Sequence, residues 1–162
     1  MKTLTIRLTA PLQSYGNAQA FDYRTTKLSP TKSAVIGMIA AALGYQRNDH
    51  RISGLNQLLF AVRVDQPGKM LNDFHMVEWK KNKRKITHRY YLQDAVFALA
   101  IGSPDEQLIN QIQFALKHPK FQLSLGRRAN VPAGPLLIDD SSQKDPVKTL
   151  EKMPWQAAPF VK

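Results

Sequence analysis

Residues 79–101 read WKKNKRKITHRYYLQDAVFALAI, a basic run that passes directly into an apolar one. Lys80, Lys81, Lys83, Arg84, Lys85 and Arg89 all fall between Trp79 and Tyr90, and no acid stands between Glu78 and Asp94. Cations repel one another, so such a cluster belongs in solvent or against a polyanion. Phe74 and Trp79 precede it, and Tyr90 and Tyr91 follow. Charge for phosphates and flat faces for bases are what a single-stranded nucleic acid requires, although a solvated hairpin tip has the same composition. Beyond the cluster, residues 89–101 alternate and predict one long strand. Tyr91, Ala95, Phe97, Leu99 and Ile101 share one face, with Leu92, Val96 and Ala98 on the other.

The strand leads into Ser103-Pro104-Asp105-Glu106, a helix opening with Ser at the cap, Pro next and Glu three residues on. Leu108, Ile109, Ile112, Ala115 and Leu116 supply its apolar stripe, and Pro119 stops it. Residues 121–125 alternate and read as a further strand. Gly126-Arg127-Arg128 turns out of it towards Pro132-Ala133-Gly134-Pro135. Beyond Asp139 the chain reads as a polar tail with Trp155 and Phe160 as anchors, and Asp139-Asp140 read as turn residues.

Working upstream, residues 59–64 form a strand closed by Pro67-Gly68, so the basic cluster is an excursion between two strands. A short helix over residues 52–58 precedes it. Ser29 or Thr31 caps a helix that runs to Leu43 and stops at Gly44. Lys32 beside the free N–H groups of that helix suits a phosphate, and equally suits an exposed lysine. Leu4, Ile6 and Leu8 alternate with Thr3, Thr5, Arg7 and Thr9 in a first strand. Residues 12–16 then read as a turn-forming loop whose polar character continues through Asn17, Gln19 and Asp22.

The order strand, helix, strand, strand, helix, strand predicts an α+β, ferredoxin-like (RRM-like) βαββαβ core with an inserted basic β-hairpin. Two helices are expected on one sheet face, leaving the other open, as in RNA-recognition domains of this topology. A single domain over residues 1–140 carries the excursion at about 72–91, and residues 141–162 form a C-terminal tail.

Composition narrows the class. Lys and Arg outnumber Asp and Glu by 23 to 12 in 162 residues, a net charge of +11. That excess points to nucleic acid or an anionic surface. No cysteine is present, which removes thiolate metal sites and thiol nucleophiles and suits a reducing compartment. The most apolar segment, residues 34–43, is about half the length of a membrane span, so a cytoplasmic protein without membrane contact is expected. No phosphate-binding GxxxxGK[ST] loop occurs, and His50, His75, His88 and His118 lack metal-ligand spacing, so no cofactor is expected. One catalytic reading survives, a metal-independent ribonuclease drawing on His75, His88, Tyr15, Tyr90 and nearby lysines.

Five blocks lie in order along the chain: LTAPLQSYG (8–16), PTKS (30–33) running through Ile36-Gly37 to AAALG (40–44), DFH (73–75), RYYL (89–92) with Asp94-Ala95 and Phe97, and LGRR (125–128) with PAGP (132–135). Together they resemble the CRISPR-associated CasD family, the type I-E branch above all. The resemblance implies a Cascade subunit that holds the 5′ handle of the guide RNA (crRNA), with residues 72–91 as a protruding thumb. It implies CasC backbone subunits and the large CasA subunit as further partners, and target DNA only indirectly. In type I-E systems a separate subunit, CasE, cuts the precursor, so a non-catalytic binder is implied. The type I-C relative cuts RNA with a Tyr, Lys and His set that does not map onto this sequence residue by residue. The chain also ends soon after PAGP, which implies a shortened C-terminal element.

The expected RNA-binding set is Gln13, Ser14, Tyr15, Lys32, Ser33, His75, Lys80, Lys81, Lys83, Arg84, Lys85, Arg89, Arg127 and Arg128. Lys32 and Arg127-Arg128 are expected to fix the handle while the thumb grips and kinks its neighbour.

Overall fold

A computed structural model describes residues 1–16, 22–136, 138–141 and 145–158. In chain order the elements are β1 (Lys2–Thr9), β2 (Leu12–Gln13), β3 (Tyr23–Arg24), α1 (Lys32–Leu43), α2 (Arg51–Leu55) and β4 (Leu59–Gln66). There follow β5 (Lys69–Lys80), β6 (Lys83–Gln93), β7 (Val96–Ser103), α3 (Glu106–Lys117), β8 (Ile138–Ser141) and α4 (Pro146–Lys152). The fold is mixed α and β, with two sheets in which antiparallel pairing predominates. Among the described residues no helix is long and apolar enough to cross a membrane.

The first sheet has the order β4-β7-β1-β8, with every neighbouring pair antiparallel. Alternation along β1 puts Leu4, Ile6 and Leu8 on one face, opposite Ile101, Leu99 and Phe97 of β7. That face is covered by Val35 and Ile39 of α1 and by Ile109 and Ile112 of α3, all buried. Each such side chain removed from water contributes about 1.5–3 kcal/mol. Thr31 caps α1 by accepting from the Ala34 amide at 3.3 Å, and Gly44 ends it in the left-handed region at φ 79°. The cap of α3 is Asp105 rather than Ser103. Asp105 Oδ1 accepts from the Leu108 amide at 3.0 Å, while Ser103 closes β7 and its Oγ accepts from the Asp105 amide.

Four expectations need correction. Residues 89–101 are not one strand: Asp94 adopts φ 56°, so β6 departs into the second sheet and β7 remains in the first. Residues 121–125 are not a strand. Their alternation does bury Leu123 and Leu125, but the backbone finds its partners elsewhere, Phe121 N–H donating to Ala41 O and Ser14 N–H to Leu125 O. The edge beside β1 is filled by β8, so Asp139 and Asp140 are ladder residues opposite Thr5 and Leu4. Residues 12–16 are not wholly a loop either, since Leu12 and Gln13 pair with Gln93 and Leu92.

A fifth correction concerns the sheet face expected to be open. α4 lies on it, packing Leu150 and Met153 against Ala98, Ala100 and Ala61. Small side chains on β4 and β7 let the helix approach closely. Residues 146–153 are therefore packed structure where a tail was expected, with Asp145 capping α4 through the Val147 amide at 2.9 Å. Phe160, read as an anchor, and the loop positions Asn17 and Gln19 lie outside the described residues.

The second sheet is built on β6. β5 pairs along one edge from Lys69↔Gln93 to Lys80↔Lys83, forming a long hairpin, and β2 and β3 share the other edge. Lys81 and Asn82 make the turn, with Asn82 at φ 62°, a conformation that Asn tolerates better than most residues.

Candidate nucleic-acid interface

Pairing register divides the hairpin into two faces. One carries Asp73, His75 and Val77 opposite Arg89, Thr87 and Lys85. Arg24 joins it, because β3 runs parallel to β6 with Arg24 beside Arg89. Of these, Arg24, Val77, Lys85, Thr87 and Arg89, together with Asp22 and Trp79, line a groove of about 540 Å³. Lys85 Nζ lies 2.7 Å from Asp22 Oδ1, and Arg89 keeps a buried Nε–H without an acceptor among the described residues. Trp79 is 64% exposed, and Lys83 Nζ sits 5.7 Å from its ring centroid. The groove thus offers several cations beside an uncovered indole. Such a pairing suits a phosphate backbone with a stacked base.

The other face is apolar. It exposes Phe74, Met76 and Ile86, and Tyr23 stacks on His88 with ring centroids 4.9 Å apart and planes 5° apart. His75 and His88 consequently lie on opposite faces, as the pairs His75↔Thr87 and Phe74↔His88 require.

The structure separates the expected RNA-binding set into groups. Gln13, Ser14 and Tyr15, expected at the RNA, have buried side chains. Gln13 Nε2 donates to Ala95 O at 2.6 Å and its Oε1 accepts from the Tyr15 hydroxyl at 2.7 Å. Tyr15 packs edge-on against Phe97, and burial pushes its hydroxyl far above the usual phenol range, so it is not a base at neutral pH. Ser14 is buried beneath Gly126. Lys32 Nζ donates to Asn56 O at 2.7 Å, tying the start of α1 to the end of α2, and Ser33 is exposed beside it. His75 Nε2 lies 2.7 Å from Asp73 Oδ2.

Lys80, Lys81, Lys83 and Arg84 are exposed at the hairpin tip, Arg84 loosely paired with Glu78 at 3.4 Å. Lys85 and Arg89 line the groove. Arg127 turns inward and donates to Tyr90 O and Arg24 O, whereas Arg128 is exposed.

Arg24 and Asp22 were not read from the sequence as site residues. Their stretch shows no alternation, and the two-residue β3 is defined only by its partner. The one local signal is an aromatic next to a cation, Tyr23-Arg24, the combination already seen at Trp79. Among the described residues no group of three or more His, Cys, Asp or Glu is placed to hold a metal ion.

Gly126 explains why the arginine loop sits where it does. At φ 97° it passes so close to Ser14 that an added Cβ would fall 1.5 Å from the Ser14 carbonyl oxygen. Gly126→Ala should therefore destabilise the fold by about 2 kcal/mol or more. Urea denaturation measures it, and a variant with an unchanged midpoint would contradict the close approach.

The family model described as CRISPR-associated protein (Cas_Cas5) matches residues 3–160. The CRISPR system Cascade subunit CasD of Escherichia coli (strain K12) is 30% identical over 91% of this chain and 75% of its own length. A chain of a solved CRISPR RNA-guided surveillance complex superposes with a TM-score of 0.79 at 38% identity, covering 91% of this chain and 66% of that one. A crystal structure of a Cas protein gives a TM-score of 0.66 at 41% identity, covering 83% of this chain and 61% of that one. This chain therefore spans somewhat under two thirds of the length of those two solved chains. The match over nearly the whole sequence, together with the agreement in fold, assigns the chain to the Cas5 family of CRISPR-associated proteins.

Proposed function

We propose that this chain is a non-catalytic RNA-binding subunit of a type I Cascade surveillance complex, capping the 5′ handle of crRNA beside CasC-like and CasA-like subunits. The observation that carries the reading is the groove of Arg24, Lys85 and Arg89 beside the exposed Trp79. A ferredoxin-like core is supported by β1, α1, β4, β7, α3 and β8 following one another with sheet order β4-β7-β1-β8. The β5–β6 hairpin, basic at its tip, is the thumb in this reading. Since α4 lies on the second face of the core sheet, RNA is held by the hairpin sheet and not by an open core face. A non-catalytic role is favoured by the dispersal of the ribonuclease parts: Tyr15 is buried, and His75 and His88 point to opposite faces.

Handle RNA should bind more tightly than an unrelated single strand of equal length. Three phosphate contacts should give a slope of log K against log salt of about −2. Equal affinity for both RNAs would overturn handle recognition. Repeat RNA incubated with the protein in EDTA should remain intact, and cleavage there would establish the endoribonuclease reading instead.

A further inference from the structure

We propose that Arg127 is a positioning residue that sets the width of the basic groove by fixing Arg24 and does not itself contact RNA. The inference rests on the RNA-binding reading of the groove. Its guanidinium bridges two strands: Nη1 donates to Tyr90 O of β6 at 3.1 Å and Nη2 to Arg24 O of β3 at 2.7 Å. The same group lies over the Tyr91 ring, 4.5 Å from its centroid. Two of its five donors and one face of its plane are engaged with protein, and Arg127 is not among the residues that line the groove.

β3 needs such a tie. It is two residues long, both side chains are exposed, and its ladder pairs with β6 are Tyr23↔His88 and Arg24↔Arg89, with the Tyr23–His88 stack and the Lys85–Asp22 ion pair beside them. No apolar side chain of β3 is buried to hold it against the sheet. Yet Arg24 forms one wall of the groove, opposite Arg89 and Lys85. The carbonyl of Arg24 is gripped from behind by Arg127 while its side chain faces the groove wall, so the two arginines divide positioning from contact. Lysine in place of Arg127 keeps the charge but reaches only one carbonyl and loses the planar stack on Tyr91.

A double-mutant cycle separates the roles. Arg127→Lys should weaken handle-RNA binding about tenfold in the otherwise unaltered protein, but less than about twofold in an Arg24→Ala background, because residues acting through one another are not additive. Additive losses would overturn the proposal, as would full affinity in Arg127→Lys. Should the lysine variant prove unstable in a thermal melt, arginine modification by phenylglyoxal on the unaltered protein decides. Arg127 should resist the reagent with and without RNA, while Arg24 reacts when free and is protected by RNA. Arg127 that reacts in the free protein and is shielded by RNA would be a contact residue, contrary to the proposal. Failure of the unaltered protein to prefer handle RNA would defeat the functional reading, whereas reactivity of Arg127 without RNA would defeat only the positioning role.

Discussion

Replacing Arg24, Lys85 and Arg89 together by glutamine should lower handle-RNA affinity by about 10²–10³-fold at physiological salt, because each lost charge-assisted contact is worth about 1.5 kcal/mol or somewhat less when exposed. The salt slope should fall by about 2 at the same time, since the released counterions track the phosphates neutralised. Those two readouts together distinguish lost phosphate contacts from a general loss of folded protein, which would cut the bound fraction without flattening the slope. Glutamine is the appropriate replacement: it retains the bulk that lines the groove and leaves a polar end near Asp22. Neutralising the tip instead, at Lys80, Lys81, Lys83 and Arg84, should weaken all RNAs to a similar extent. These side chains stand in solvent beyond the groove and act through long-range attraction. Arg128→Gln should discriminate more strongly against the handle than against an unrelated strand. Binding by electrophoretic or anisotropy titration across a salt series measures all three. A triple groove variant with less than about a threefold loss would remove the groove as the RNA site.

Asp65→Ala should cost about 3–5 kcal/mol of stability, the range for removing one partner of a buried ion pair. Asp65 is 2% exposed, and its carboxylate accepts from Arg63 Nε at 2.6 Å, Arg63 Nη2 at 2.9 Å and the Gln156 amide at 2.8 Å. Arg63 in turn donates to the carbonyls of Leu150, Met153 and Pro154, binding up the C-terminal end of α4. Truncating Asp65 leaves that guanidinium part-buried and uncompensated and frees the Gln156 amide. For a chain of this size the loss corresponds to a fall in Tm of about 10 °C. Asp65→Asn retains the shape and one acceptor and should fall between the two. Limited proteolysis near residue 145 should precede global unfolding in the alanine variant, because α4 is held to the sheet by this latch and by little apolar area. A Tm within a degree or two of the parent would show that α4 is held by Leu150 and Met153 alone.

The latch shows where sequence reading stops. Arg63 and Asp65 sit two apart at the end of a strand read over residues 59–64 and found over Leu59–Gln66, and they share a face. Nothing near them in the sequence says that residues 150–156 would come to lie over that face. The stretch after Asp139 looked like a polar tail because α4 buries few side chains, and one face of a short helix is a weak periodic signal. A similar ambiguity placed a strand at 121–125. The alternation there is real and Leu123 and Leu125 are buried, but alternation reports which side chains turn inward and not whether a ladder partner is available.

The candidate site divides in the same way. Lys85, Arg89 and the aromatic at Trp79 were readable because charge without compensation must face solvent or a polyanion. Arg24 was not readable, since its contribution depends on a two-residue parallel pairing with β6. Gln13, Ser14 and Tyr15 belong to a motif that carries the family resemblance, and the structure puts that motif in the interior. The polar atoms of Gln13 and Tyr15 satisfy each other and Ala95 O at the junction of the two sheets.

By itself the sequence determined the local features: the alternation of β1, the Thr31 and Gly44 ends of α1, the uncompensated basic run between strands, and the five-block likeness to the CasD family. Each depends on residues within a turn or two of one another, or on their order along the chain. Only the tertiary structure decided that β8 fills the edge beside β1, that α4 covers the second face, and that Arg127 turns inward while Arg24 faces the groove. Those outcomes depend on which distant backbone group satisfies a donor or acceptor, and hydrogen-bond partners separated by tens of residues leave no periodic trace in the sequence.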